Sequence, residues 1–243
     1  MTSSISIFHS EKGGVGKSIC CKAFIYKLMF ENKKFIVIDA DQSNADVHRE
    51  FLGIKLIIDD EKSDDIEIHQ FDLGEQNGWW DLYNLMNQNK NKDTHIVISM
   101  PAQIEFSMFE QRKEFKKALD SLGYKLNMIW MLSEAIDSIQ LLKHTSINNN
   151  DLIDKLIIVK NGFFADENEF LDWQNSNIRK DLLKNENNSE VFLPELNKRL
   201  KRALKPIKKP FAQALTSDQL DFSERMGLEA WLGDARTAFS SIT

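Results

Sequence analysis

Ten residues into the chain, the segment Glu11-Lys12-Gly13-Gly14-Val15-Gly16-Lys17-Ser18 sets three glycines and two lysines in a row of eight. A short alternating run, Ile5-Ser6-Ile7-Phe8, precedes it, and a helical pattern over 19–30 follows. That order constrains the fold more than any other feature. A strand that ends in a glycine-rich loop and passes straight into a helix belongs to an α/β sheet, with the loop at the strand's carboxyl end. Gly13, Gly14 and Gly16 let the backbone turn so that its N–H groups converge on an anion. The helix N-terminus adds its partial positive charge. Lys17 is placed to reach the terminal phosphates of a nucleotide, and the Ser18 hydroxyl to ligate Mg²⁺. Val15 and Ile19 complete the expected nucleotide-binding segment.

The rest of the chain repeats the alternation. Short apolar runs at 5–8, 35–38, 66–71, 95–99, 126–132, 156–159 and 191–193 read as strands. Helical patterns are expected at 19–30, 79–87, 106–122, 135–144, 167–184 and 195–204, with a last helix over 221–239 broken near Gly233. Alternation of this kind predicts one α/β domain across residues 1–243, a doubly wound and mainly parallel sheet with helices on both faces. At 42% hydrophobic residues the chain can fill such a core, and no apolar run approaches the ~20 residues of a membrane-spanning helix. The start carries no signal-peptide core. Cys20 and Cys21, adjacent on a helix, read as reduced thiols, so a cytoplasmic location is expected.

Three further segments carry chemistry. Phe35-Ile36-Val37-Ile38-Asp39-Ala40-Asp41 ends a strand on two carboxylates, which can hold Mg²⁺ through water or orient an attacking water. His95-Ile96-Val97-Ile98-Ser99-Met100-Pro101 is a second apolar strand, ending on a hydroxyl. Ile157-Ile158-Val159-Lys160-Asn161 ends on an amide, which offers a donor and an acceptor together. His9, on the turn before the glycine loop, reads as a packed residue rather than a catalyst. Of the adjacent Trp79 and Trp80, one is expected in a partner interface.

The segment K-G-G-V-G-K-S resembles the deviant Walker A box of ParA/MinD-type ATPases. The resemblance implies a P-loop ATPase that binds ATP or ADP with Mg²⁺ and forms a homodimer in its ATP state. Lys12 would cross the dimer interface to the partner's nucleotide, and Lys17 would hold the phosphates. Asp41 would position the hydrolytic water, with Asp39 nearer the metal beside Ser18. Asn161 would meet the adenine edge, and Phe192-Leu193-Pro194-Glu195 resembles the loop that packs on the base through Pro194. Ser99 departs from the family, which carries an aspartate at that place; a hydroxyl accepts a hydrogen bond but brings no charge, so weak ATPase activity at best is expected. The segment 208–215 and the helix after it look most like the TraL and StbB types, linked to conjugal transfer and plasmid stability.

Net charge is −6, which is not the signature of a nucleic-acid binder. The charge is uneven, however, with an acidic loop over 59–65 and a basic stretch over 198–209. On a helix, Lys198, Arg199, Lys201, Arg202 and Lys205 could contact a DNA backbone without sequence preference, as the resemblance implies for the ATP-bound dimer. The tail carries Trp231 and Phe239 but little positive charge, so both read as core residues and membrane binding is not expected. Three readings stay open: an ATP-dependent switch for plasmid partition, positioning or transfer; a MinD-like switch that positions a protein machine without touching DNA; and a nucleotide-binding scaffold with little hydrolysis. An unidentified stimulating or cargo protein is the expected partner of the first two.

Overall fold

The computed structural model describes residues 3–59 and 62–242, and side chains outside 56–65. The strands are β1 (Ser4–His9), β2 (Phe35–Asp39), β3 (Lys55–Asp59), β4 (Lys62–Asp65), β5 (Glu67–Gln70), β6 (His95–Ser99), β7 (Lys125–Leu132), β8 (Lys155–Asn161) and β9 (Ser189–Leu193). Seven of them form one sheet in the order β5-β2-β6-β1-β7-β8-β9, and every neighbouring pair is parallel. The expected doubly wound sheet is therefore present, and it is wholly rather than mainly parallel.

The helices are α1 (Lys17–Phe30), α2 (Asp46–Phe51), α3 (Gln76–Asn89), α4 (Glu105–Glu110), α5 (Arg112–Leu122) and α6 (Ile136–Asn148), then α7 (Leu171–Asn175), α8 (Asn177–Leu182), α9 (Lys198–Leu204), α10 (Phe211–Leu215) and α11 (Phe222–Ala238). They cover both faces. β1, β2 and β6 are buried along their whole length: β2 is apolar up to Asp39 and β6 is apolar between His95 and Ser99, while the buried Ser4 and Ser6 of β1 find a partner in His95. Alternate residues feed two cores. Phe8, Val37 and Val97 join α1, α2, α10 and α11 on one side. Ile7, Ile38 and Ile98 join α3, α5 and α6 on the other. Phe239 is fully buried against Phe8 and Phe24, and Trp231 is buried beside Phe211, so the tail helix belongs to the core as expected.

The chain departs from the sequence pattern where capping decides. Residues 167–184 do not form one helix: an Asp166–Glu169 capping box starts a 3₁₀ turn, and Ser176, extended at ψ 144°, caps α8 through Arg179 N–H. Gln111 divides 106–122 into α4 and α5. α11 runs unbroken through Gly233. The acidic stretch is not a plain loop: β3 pairs antiparallel with β4, with residues 60 and 61 outside the described residues. No described helix is long and apolar enough to cross a membrane.

The sheet order fixes where a ligand can sit. β1 lies at the centre, with β6 on one side and β7 on the other. The crevice at the carboxyl ends of such strands is where ligands bind in open parallel sheets. The glycine-rich loop fills it.

Candidate functional site

The loop between β1 and α1 turns on two left-handed glycines, Gly14 at φ 75° and Gly16 at φ 91°. Gly16 is also the α1 N-cap, and a Cβ there would sit 2.6 Å from Asn161 Nδ2. Only glycine meets both demands. The first turn of α1 holds no acidic side chain and no side-chain cap. Its leading N–H groups therefore carry positive dipole with no acidic side chain of their own turn set against them.

Lys17 lies in that mouth. Its Nζ donates to the Ser10 carbonyl at 3.3 Å and the Lys12 carbonyl at 3.0 Å. Burial lowers its pKa, while the charges of Asp41 and Glu11 work the other way. Lys12 turns outward and pairs with Asp137, the second residue of α6, at 2.5 Å. His9 is buried edge-on against Trp130, with Nε2 3.2 Å from Glu11 Oε1, in keeping with a packing role.

The carboxylates after β2 have assigned partners. Asp39 is buried; its Oδ2 accepts the backbone N–H groups of Val47 (3.0 Å) and His48 (2.9 Å), and Oδ1 accepts that of Asp41 (3.2 Å). It caps α2 from the preceding strand. Desolvation raises its pKa, and the three backbone bonds only partly offset that. Asp41 Oδ1 accepts from Ser43 N–H, Ser43 Oγ (2.7 Å) and Asn44 N–H (2.9 Å), an Asx-type turn. Ser99 is 2% exposed and in register with Asp39 on one side and Phe8 on the other. In-register residues of parallel neighbours point to one face, so Ser99 and Asp39 stand side by side there.

Asn161 is buried and does more than the sequence suggested. Its Nδ2 donates to the Val15 carbonyl at 2.8 Å, and its Oδ1 accepts Phe163 N–H at 3.0 Å. The amide ties the end of β8 to the phosphate loop. Beside it a cavity of about 180 Å³ is walled by Ile19, Phe163, Pro194 and Trp231. Pro194 is fixed from behind, its carbonyl accepting Trp231 Nε1–H at 2.8 Å. Apolar walls around one two-way hydrogen-bonding amide suit a flat heterocycle. Pattern reading missed Phe163 and gave Trp231 to the core alone. Phe163 and Phe164, a pair in the loop after Asn161, carry no periodic signal, and Trp231 reaches the cavity only through the return of α11.

The expected basic face is divided. Arg199 pairs with Asp221 and with Glu224 (3.0 Å), and Lys201 lies 4.1 Å over the Phe163 ring and 3.3 Å from Glu195. Lys198, Arg202 and Lys205 are exposed and unpaired among the described residues. Trp79 is buried, with Nε1 donating to the Leu73 carbonyl, whereas Trp80 is 54% exposed. Among the described residues no group of three or more His, Cys, Asp or Glu forms a metal cage.

No protein-family model matches the chain. Protein MobD of Acidithiobacillus ferrooxidans is 25% identical over 244 residues, spanning 100% of this chain and 99% of that protein. Among solved structures, the septum site-determining protein MinD of Pyrococcus horikoshii OT3, complexed with Mg-ADP, aligns over 96% of this chain and 94% of its own at 13% identity and TM-score 0.55. Apo McdA of Cyanothece aligns over 95% and 100% at 15% identity and TM-score 0.54. The chain has the ParA/MinD-type P-loop fold, as the Lys12–Ser18 segment predicts.

Proposed function

We propose that this chain is a nucleotide-switched, dimerising ATPase of the ParA/MinD family that works in DNA partition, positioning or conjugal transfer in the cytoplasm. The observation that carries the reading is one juxtaposition. The uncapped α1 N-terminus and Lys17 share the glycine loop whose Gly14 and Gly16 also line the Asn161-walled slot, which suits phosphates on the loop and adenine in the slot. Loop N–H groups and Lys17 hold the β- and γ-phosphates, with the Lys17 ammonium exchanging two carbonyl partners for phosphate oxygens. Ser18, with Asp39 behind it, would hold Mg²⁺, whose charge offsets that of the phosphates when bound. Asp41 orients the attacking water once its turn to Ser43 and Asn44 loosens. Lys12 leaves Asp137 to meet the partner subunit's nucleotide.

Ser99 supports slow turnover, because where the family resemblance expects a carboxylate it offers a hydroxyl, which would bring no charge to a bound metal. A switch that cycles slowly and a scaffold that hardly cycles differ only in that rate. For cargo, the exposed Lys198, Arg202 and Lys205 support backbone contact with DNA. The protein-positioning alternative predicts no DNA binding in any nucleotide state. Light scattering with ATP-Mg²⁺ and with ADP-Mg²⁺ tests the switch: a dimer is expected only with ATP, and Lys12→Ala is expected to keep nucleotide binding but stay monomeric. A Lys12→Ala dimer like that of the wild type would remove the cross-subunit role. Duplex DNA binding that appears only with ATP and weakens with salt would select the DNA reading.

A further inference from the structure

A second cavity, about 620 Å³, begins at Ser18 and runs outward, bounded by α1, α2, α9 and the start of α10. Its apolar floor is made by Ile19, Leu196, Leu204 and Phe211. Six cations line it against only two carboxylates. Part of that charge is internally answered, Lys22 by Glu50 at 2.6 Å, Arg49 by Asp46 and Lys201 by Glu195 at 3.3 Å. The remainder is concentrated on one wall, where Lys205, Lys208 and Lys209 are exposed and form no ion pair among the described residues. That wall is held in shape. Ile207 is buried and donates its N–H to the Leu204 carbonyl at 3.0 Å, Lys208 sits at φ 48°, and Pro206 and Pro210 flank the turn. The lysines therefore present their charge from a fixed backbone, which reduces the ordering cost of binding.

We propose that this groove docks a short acidic peptide segment of a partner protein, anchored by apolar side chains on the floor and by carboxylates on Lys208 and Lys209. Charge complementarity selects acid over base. The recessed apolar floor selects a peptide over a duplex, whose phosphates need an open cationic surface and leave apolar side chains unused. Because Ser18 lines the same groove, an occupant sits next to the metal-holding hydroxyl and couples to the nucleotide site; that coupling rests on the function proposed above, whereas the docking does not.

The test pans a phage library of random dodecapeptides on the full chain, with counter-selection on the double variant Lys208→Glu/Lys209→Glu. Mant-ADP titration of wild type and variant, run in parallel, checks the fold and the nucleotide reading separately. The expected result is enrichment of peptides with two or more acidic residues beside apolar ones, at least tenfold weaker on the variant by fluorescence anisotropy and weakened by salt. Enrichment without an acidic bias, or equal binding to the variant, overturns the proposal. So does binding by a glutamate-only peptide as tight as by the enriched ones, because the floor would then contribute nothing. A duplex that the variant loses while no acidic peptide is enriched assigns the groove to nucleic acid. If the enriched peptide binds but mant-ADP does not, docking stands and the nucleotide reading falls.

Discussion

The two ends of the parallel sheet bury polar groups in opposite ways. At the amino end, His95 is enclosed between the hydroxyls of Ser4 (2.9 Å) and Ser6 (2.8 Å), and the Lys27 ammonium donates to the Ile242 carbonyl and to Glu31, both at 2.8 Å. Fixed partners on neighbouring elements satisfy these groups, and nothing there invites exchange. At the carboxyl end, Lys17 rests on two carbonyls of its own loop, and α1 begins without a cap. Those partners belong to a turn that an anion can displace. Polar burial at the amino end therefore serves stability, and at the carboxyl end it prepares a site. Substitutions at the two ends should separate along that line.

The largest effect is expected at Lys17. Two charge-assisted contacts to phosphate are worth about 1.5–3 kcal/mol each, so Lys17→Ala should weaken mant-ATP binding by a hundredfold or more. The melting temperature should hardly change, because burial already disfavours that cation in the folded chain. A large drop in melting temperature with intact binding would reverse the assignment of the two ends.

His95 sharpens the comparison from the other side. Burial, with smaller contributions from Lys27 and Lys33, pushes its pKa down to about 3. In the unfolded chain the imidazole titrates near 6.5. Between these values the unfolded chain binds a proton that the folded chain refuses, so stability is complete above about pH 6.5 and falls as pH drops toward 3. At pH 5 the loss should be about 2 kcal/mol. Urea denaturation at pH 7 and pH 5 checks this, and His95→Gln should flatten the difference while leaving nucleotide affinity at pH 7 unchanged.

Asn161 bridges the two kinds of burial, because its amide both ties the loop and lines the cavity proposed to take the base. Asn161→Ala leaves the Val15 carbonyl and the Phe163 N–H without their partners, at about 1–3 kcal/mol. Both readouts should move: a lower melting temperature and roughly tenfold weaker adenine-nucleotide binding. Isothermal titration with ATP against GTP separates them further, since only the base-facing role predicts lost discrimination.

What the sequence made legible follows the same physics. β2, β6, β7 and β8, buried along nearly their whole length, leave largely apolar runs, while β1 and the edge strand β5 show through alternation and β9 through a short apolar run, and the glycine loop marks the switch point. Elements that depend on distant partners are not visible. α2 is six residues long and is capped by Asp39 from the preceding strand, so no local pattern announces it. The cavity beside Asn161 needs Phe163 and Trp231 together, which only the folded tail brings about. Likewise, Lys208 and Lys209 gain meaning only when they face Lys22 and Arg49 across one groove.

The smallest effect, and the most informative about turnover, is expected at Ser99. Its side chain shares a face with Asp39, on the strand between β1 and β2. Ser99→Asp restores a charge there, and in the presence of Mg²⁺ it should raise ATP turnover severalfold by coupled phosphate release. The same change sets two carboxylates side by side in a buried place, where like charges raise each other's pKa. Asp39 is already raised by desolvation, so the variant should lose stability at neutral pH and recover part of it when Mg²⁺-nucleotide is bound. Turnover that stays at the wild-type level with Mg²⁺ saturating would mean that Ser99 does not limit hydrolysis. The restraint would then lie with Asp41, held in its turn by Ser43 and Asn44.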